Sequence, residues 1–442
     1  MTAIAVPQRT QNVLAVAAGA AFLALLDTTV ANLAVADVRT DFAGASINGA
    51  TWLITIYAVV FAACLAPAGR VADVVGRRTL LLAGVGGFTL FSLACALAPS
   101  LGALLAARAL QGVAAAAMIP ASLAVVLADT PPSDRAKAIG AWSAAGALAA
   151  AAGPALGGVL VDSISWRALF LINLPLGLAI LYSARSIPSG GGGGRLPDAL
   201  GTLLLGAGIG GAALGISQGS DWGWGDPRTI ALLTTGVLAS AAAILRSTRH
   251  ERPALETRLW RSRRFAAANL ASLLYGAALF PWMLVGVLFL VTIWDYSPLQ
   301  AGLAMTPGAV VAAIVAVLAS RRSTPRRAVI GGALVLGAAG ALCTLALPEQ
   351  PDFFGFWLPV GTLIGIGMGA ITTGVSTAAA LSVTPDRFAA AVGLNAAARQ
   401  VGGALGVAAL AALLTTDLAS FKDVYLFCTL ATLGVAAVGS RL

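Results

Sequence analysis

A helix needs about 20 apolar residues to cross a bilayer, and stretches of that length, separated by short polar loops, recur along this entire chain. Fourteen stand out, at roughly 12–36, 50–69, 79–98, 101–128, 136–161, 168–185, 198–217, 229–246, 266–293, 299–320, 328–347, 354–381, 388–415 and 421–439. Their Ala, Gly, Leu and Val texture has none of the apolar–polar alternation of a barrel strand, so each reads as a helix. The pattern predicts an all-α polytopic membrane protein with 14 transmembrane helices.

Composition supports this reading. Hydrophobic residues make up 59% of the chain and charged residues 10%, with a mean hydropathy of +0.90, which leaves too little polar surface for a water-soluble globule. Charge placement tests the count. With the N-terminus on the cytoplasmic side, the outer loops hold only Arg39, Arg167, Arg228 and Lys422 of the 27 Lys and Arg. Arg108 and Arg399 fall within helices, and all the others lie in inner loops or at the termini. A missed or extra helix would scramble that partition, so the positive-inside bias supports fourteen crossings of the cell membrane with both termini cytoplasmic. The net charge of +9 is then a topology signal. The cluster Arg258, Arg261, Arg263 and Arg264 sits where it would meet anionic headgroups, and no nucleic acid partner is implied. The N-terminal sequence lacks a basic, apolar, then small pattern, so segment 1 is expected to stay in the mature protein.

Three blocks follow from the loops. Residues 1–189 form one six-helix bundle and residues 263–442 a second. Between them, residues 190–262 hold a Gly-rich linker beginning at Gly190, a two-helix hairpin and a basic segment. Two bundles around a central cavity is the arrangement that secondary transporters use for alternating access.

Asp27 carries the chemistry. It is the only acidic residue away from the ends of any apolar segment, and a carboxylate in hydrocarbon is normally retained because it handles ions, protons or a charged ligand. Helix rise puts Asp27 roughly 21 Å from the inner edge of a core about 30 Å thick, and Arg108 roughly 10 Å below the outer edge, so the two are level. Pairing them lowers the cost of burying either. The single histidine, His250, lies in a loop, and Cys64, Cys95, Cys343 and Cys428 are isolated within apolar segments. Disulfides, a metal site, a cofactor and an embedded hydrolase are therefore not indicated. Filter-like or charged-ring elements of a channel are not found either.

Local motifs supply a resemblance. The run from Gly69 to Arg78, GRVADVVGRR, resembles the helix 2–3 loop signature of the major facilitator superfamily, with Gly69, Asp73, Gly76, Arg77 and Arg78 in place. Asp73 can cap a helix N-terminus and pair with Arg77, giving a cytoplasmic latch that the resemblance extends to Asp129. The matching loop of the second half, RRSTPRR, lacks the Gly and Asp, so one latch is expected. Arg108, Gln111 and Gly112 match the superfamily's intramembrane arginine motif. Gly153, Pro154, Gly157 and Gly158 match the antiporter motif of segment 5, where small residues permit close contact and the proline weakens the helix into a hinge. Asp27, Thr28 and Asn32, then Trp166 to Pro175, Pro298 to Gly302 and Asn395 to Ala408 resemble the fourteen-helix drug:proton antiporter family.

That resemblance implies a proton-coupled exporter of small amphipathic organic molecules, acting as a monomer, with Asp27 and Arg108 at the proton-coupling site. An uptake symporter of the same fold is the alternative. Candidate cavity residues are Asn32, Gln111, Trp142, Asn269, Tyr275, Phe280, Trp282 and Arg399, which combine aromatic area with polar handles. With one acid at depth and Arg399 roughly 18 Å along segment 13, the expected cargo is neutral, zwitterionic, monocationic or weakly anionic.

Overall fold

A computed structural model describes residues 8–42, 47–187, 194–415 and 417–442. Its principal helices are α1 Gln8–Val30, α2 Ile47–Val75, α3 Arg77–Ala96, α4 Leu101–Asp129, α5 Arg135–Ser163, α6 Asn173–Ser183, α7 Ala199–Trp222, α8 Pro227–Arg249, α9 Arg263–Thr292, α10 Pro298–Arg322, α11 Pro325–Ala346, α12 Leu358–Ala380, α13 Phe388–Leu413 and α14 Leu418–Gly439. Among the described residues, thirteen helices are long and apolar enough to cross a membrane, and the sixth segment is the shorter apolar helix Ala168–Ser183. Beyond Val30 the chain continues through a tight turn, Ala31–Ala34, into a helix over Val35–Asp41. That outer end is tied down by Asp41, which accepts from Trp166 Nε1 at 3.1 Å and pairs with Arg167.

The helices start where local chemistry provides caps. Ser100 accepts from Ala103 N–H at α4, Ser262 from Phe265 N–H at α9 and Thr324 from Arg327 N–H at α11. Ser297 and Gln300 form a reciprocal capping box at α10, with Pro298 in the first turn. Between α2 and α3 only Gly76 intervenes, at φ 115°. No side chain sits comfortably there, which is the physical reason for a glycine at this point of the loop.

The N-terminal bundle has two apolar clusters, one around Leu23, Phe88 and Leu123 and another around Leu26, Leu53 and Phe170. A third, around Tyr275, Phe289 and Leu336, fills the C-terminal bundle. The first cluster runs on into Phe388, Ala389 and Val392 of α13, so the bundles share a core near the terminal face, where α1 begins and α14 ends. Contact there is backbone to backbone. A Cβ at Gly69 of α2 would collide with the Ala389 carbonyl, and one at Gly393 of α13 would lie 2.5 Å from that of Leu65. On the other side, Gly140 of α5 receives Ser320 of α10. This terminal face is closed.

Helices α7 and α8 pair through Gly208, Gly211 and Gly236, and α7 packs on both α2 and α13. The hairpin thus lies along the seam between the bundles. Asp198 caps α7 by accepting from Gly201 N–H at 2.9 Å and binds Arg246 at the end of α8. The Arg246 hydrogen bonds, joined by that cap, hold the Asp198 carboxyl down at about 2. The tie is complete above the ordinary carboxylate range and is lost only as pH falls through that value. Glu256, in the segment leading to α9, joins Arg70 of α2 at 3.0 Å and Arg387, just before α13, at 3.7 Å. Residues 190–193 of the expected Gly-rich linker lie outside the described residues.

Candidate functional site

Asp27 and Arg108 meet inside the N-terminal bundle, 0% and 1% exposed. Arg108 Nη1 donates to Asp27 Oδ2 at 2.6 Å and to Gln111 Oε1 at 2.7 Å, while its Nε donates to the Leu53 carbonyl at 3.2 Å. Arg108 and Gln111 are one helical turn apart on α4 and so share a face. The other carboxylate oxygen, Oδ1, accepts from Gln111 Nε2 at 3.0 Å and from Asn173 Nδ2 at 2.9 Å. Both amides also donate to Ser92 Oγ, at 3.2 and 2.9 Å, and Ser92 donates onward to the Phe170 carbonyl. Beneath the guanidinium lies the ring of Tyr57, 4.2 Å from its carbon. Gly112 allows this approach, since a Cβ there would lie 2.9 Å from the Tyr57 carbonyl oxygen.

Five helices, α1, α2, α3, α4 and α6, therefore converge on one carboxylate whose two oxygens are both hydrogen-bonded to donors. A buried ion pair is tolerated when hydrogen bonds take up its remaining lone pairs and protons; here both carboxylate oxygens and the Nε and Nη1 of Arg108 are so engaged, while the neighbouring Asn173 Oδ1 is buried without a partner. Asn173 follows directly on the break at Ile172 between Ala168–Leu171 and α6. Ser92, Tyr57 and Asn173 were not among the residues singled out as site candidates. The signal that points to them is a polar side chain in an apolar segment at the depth of Asp27.

The segment 5 motif makes two different contacts. On one side, Gly153 takes Thr29 of α1 and Gly157 takes Leu33 of the turn that follows, while Gly146, before the motif, takes Leu25, so α1 seats its side chains in slots on α5. On the other, Pro154 and Gly158 face Gly302 and Leu299 of α10 in the second bundle. Asp27, between Leu25 and Thr29, is thereby aimed away from α5 and toward α4.

At the terminal face, Asp73 is 1% exposed and reaches across to the other bundle. Its Oδ1 accepts from Arg77 Nη2 at 2.7 Å and from Ala389 N–H at 3.2 Å, and its Oδ2 accepts from Ala390 N–H at 2.8 Å. These are first-turn donors of α13, whose own N-cap residue, Arg387, offers no side-chain cap. A carboxylate is well placed there, both as a hydrogen-bond acceptor and against the positive end of the helix dipole. Arg77 adds a hydrogen bond to the Pro385 carbonyl. Asp129 does not join this group. It pairs instead with Arg9 in the first turn of α1, at 3.0 Å, and the Nε of Arg78 is buried without a partner.

The expected cavity residues do not gather in one place. Gln111 is committed to the carboxylate. Asn269, Tyr275 and Trp282 are 2%, 1% and 2% exposed, within the C-terminal bundle. Asn269 donates to Phe265 O, the Tyr275 hydroxyl meets that of Thr372 at 2.8 Å, and Trp282 packs on Tyr425. Phe280 lies against Gly403, and α9 runs unbroken through Pro281. Only Trp142 and Arg399 are brought together, at a cleft between the bundles lined also by Leu123, Ser376, Val392 and Asn395. Asn32 is exposed in the turn after α1.

The chain resembles known proteins along most of its length. A sequence profile of the Major Facilitator Superfamily matches residues 17–323. The puromycin resistance protein pur8 of Streptomyces alboniger is 38% identical over 405 residues, covering 90% of this chain and 80% of that protein. The tetracenomycin C resistance and export protein of Streptomyces glaucescens is 31% identical, covering 92% and 76%. The fold matches the crystal structure of the human organic anion transporter MFSD10 (TETRAN) with a TM-score of 0.68 at 16% identity, over 97% of this chain and all of that one. Matched by the profile and by relatives aligned along nine-tenths of its length, the chain belongs to the major facilitator superfamily.

Proposed function

We propose that this protein is a proton-coupled exporter of small amphipathic organic molecules, antibiotics or related metabolites, working by alternating access as a transporter and not an enzyme. One observation carries the reading. Asp27, the sole carboxylate at membrane depth, is sealed in a network of donors that protonation would loosen, since a neutral carboxyl no longer holds Arg108 by charge. The names of the relatives, which include puromycin resistance, tetracenomycin C export and cephamycin export proteins, support the cargo class and the outward direction. The basic terminal face is the cytoplasmic one by the positive-inside bias, so the closed state described above is sealed from the cytoplasm. Asp27 takes a proton from outside, cargo leaves outward, and the proton is released inward after the bundles rock. One chain holds both the carboxylate and the cleft, so the monomer is the working unit.

The test is expression in a host stripped of its own efflux pumps, with drug sensitivities profiled, followed by proteoliposomes bearing an imposed pH gradient. Cargo movement against its gradient, opposite in direction to the proton flux and abolished by a protonophore, is the expected result. Cargo moving in the same direction as the proton would instead establish an uptake symporter.

The latch supplies a second prediction. Asp73→Asn removes the charge from the cap on α13 and from the Arg77 pair, so the sealed state loses stability relative to its alternative. Turnover is expected to fall about tenfold, an equilibrium shift of about 1.4 kcal/mol, with membrane insertion unchanged. Cysteines placed in the cleft should become more reactive from the cytoplasmic side. Unchanged reactivity would sink the latch.

A further inference from the structure

Three charged side chains lie at membrane depth, and they are not equivalent. Asp27 and Arg108 cancel one another out of contact with solvent. Arg399 of α13 is different. It is partly exposed in the cleft between the bundles, and among the described residues its side chain has no ion pair and no hydrogen bond. Two of the polar side chains beside it have partners elsewhere. Trp142 Nε1 donates to Ser122 Oγ at 3.1 Å, and Asn395 Nδ2 donates to Ser272 Oγ at 2.8 Å and to the Ala268 carbonyl.

An arginine has five N–H donors in a planar fork that fits a carboxylate. In the cleft, none of those donors has an acceptor among the described residues. Around the fork, Leu123, Val392 and the indole of Trp142 are apolar or aromatic neighbours that are themselves buried, so the cleft is narrow in this closed state and cargo enters it only as the bundles part. Because Asp27 is sealed, the charge the cleft presents is positive, and a low-dielectric cavity of one sign concentrates ligands of the opposite sign. An unpaired intramembrane cation normally finds a partner. Here the partner is supplied by the cargo.

We propose that Arg399 is the anion-binding residue of the cargo site, and that the preferred cargo is an aromatic or alicyclic molecule bearing a carboxylate. The proposal rests on the exporter reading and narrows it. It commits where the charge pattern of the sequence left neutral, zwitterionic, monocationic and weakly anionic cargo side by side.

The test is equilibrium binding to the purified full chain with 1-pyrenebutyrate and its carboxamide, which share a ring system and differ in charge. Wild-type protein is expected to bind the acid at least tenfold more tightly than the amide. Arg399→Gln should lower acid affinity at least tenfold and leave the amide unchanged, while Arg399→Lys keeps part of the preference. Removing an unpaired charge should not lower the thermal unfolding temperature of Arg399→Gln, whereas loss of a structural contact would. Equal binding of acid and amide by wild type overturns the proposal, and so does an Arg399→Gln protein that loses both ligands or melts well below wild type. The exporter reading is checked separately, by energised efflux from cells of a dye panel with an acidic, a neutral and a cationic member. Efflux without acid preference leaves that reading standing and the Arg399 site refuted. Acid preference without efflux of any compound does the opposite.

Discussion

Asp27→Asn is expected to abolish proton-coupled export, lowering turnover at least about a hundredfold, while the protein still folds and inserts. An amide keeps the shape of the carboxyl but does not exchange a proton at physiological pH. The fold survives because Arg108 keeps three other partners, the Leu53 carbonyl, Gln111 Oε1 and the face of Tyr57. Stability should fall by about 1–3 kcal/mol, the cost of buried polar groups left short of partners, chiefly where the new amide nitrogen faces the donors of Gln111 or Asn173. Proteoliposomes loaded with the variant provide the measurement. Drug–proton exchange at the wild-type rate would mean that another group carries the proton.

Removing the other partner should damage the fold more. Arg108→Ala leaves a carboxylate with two amide donors and no counter-charge in the interior of the bundle, and breaking a buried pair in this way costs about 3–5 kcal/mol. Arg108 also fills the space over Tyr57 and ties α4 to the α2 backbone, so the loss is of packing as well as charge. The double variant Asp27→Asn with Arg108→Met, which removes both charges and keeps some volume, should recover part of that stability. Thermal unfolding of the two singles and the double gives the coupling directly. Strict additivity would show that the two side chains do not sustain one another.

What was legible in the sequence follows from how rare each feature is. A charge inside a hydrophobic segment stands out, and helix rise alone puts Asp27 and Arg108 level, so the pair could be expected without a structure. Asn173, Ser92 and Tyr57 could not be selected the same way. Uncharged polar residues are common in such segments, and which of them faces the carboxylate depends on helix rotation, which Ala-rich helices with weak amphipathicity do not reveal. Tyr275 and Trp282 illustrate the converse. Aromatic area combined with polar handles suggested a cavity, yet both are interior to the C-terminal bundle, since a large ring serves a packed core as readily as a binding wall. The motif of Gly153, Pro154, Gly157 and Gly158 was legible as a place of close approach. That Gly153 and Gly157 serve the first segment while Pro154 and Gly158 meet α10 emerges only from the packing. The pairing of Asp129 with Arg9 depended on where the chain's first turn settles, which no local pattern encodes.

The lone charge on Arg399 also bears on the electrical work of transport. With one proton entering per cycle, export of a monoanion carries two positive charge equivalents inward, a neutral cargo one, and a monocation none. At about 2.3 kcal/mol per charge per 100 mV, the monoanion cycle draws about 4.6 kcal/mol from each 100 mV of membrane potential. That corresponds to more than three decades of cargo concentration ratio, at about 1.4 kcal/mol per decade. A cell that lost its pH gradient but kept its voltage would go on expelling acids, and would cease to expel cations.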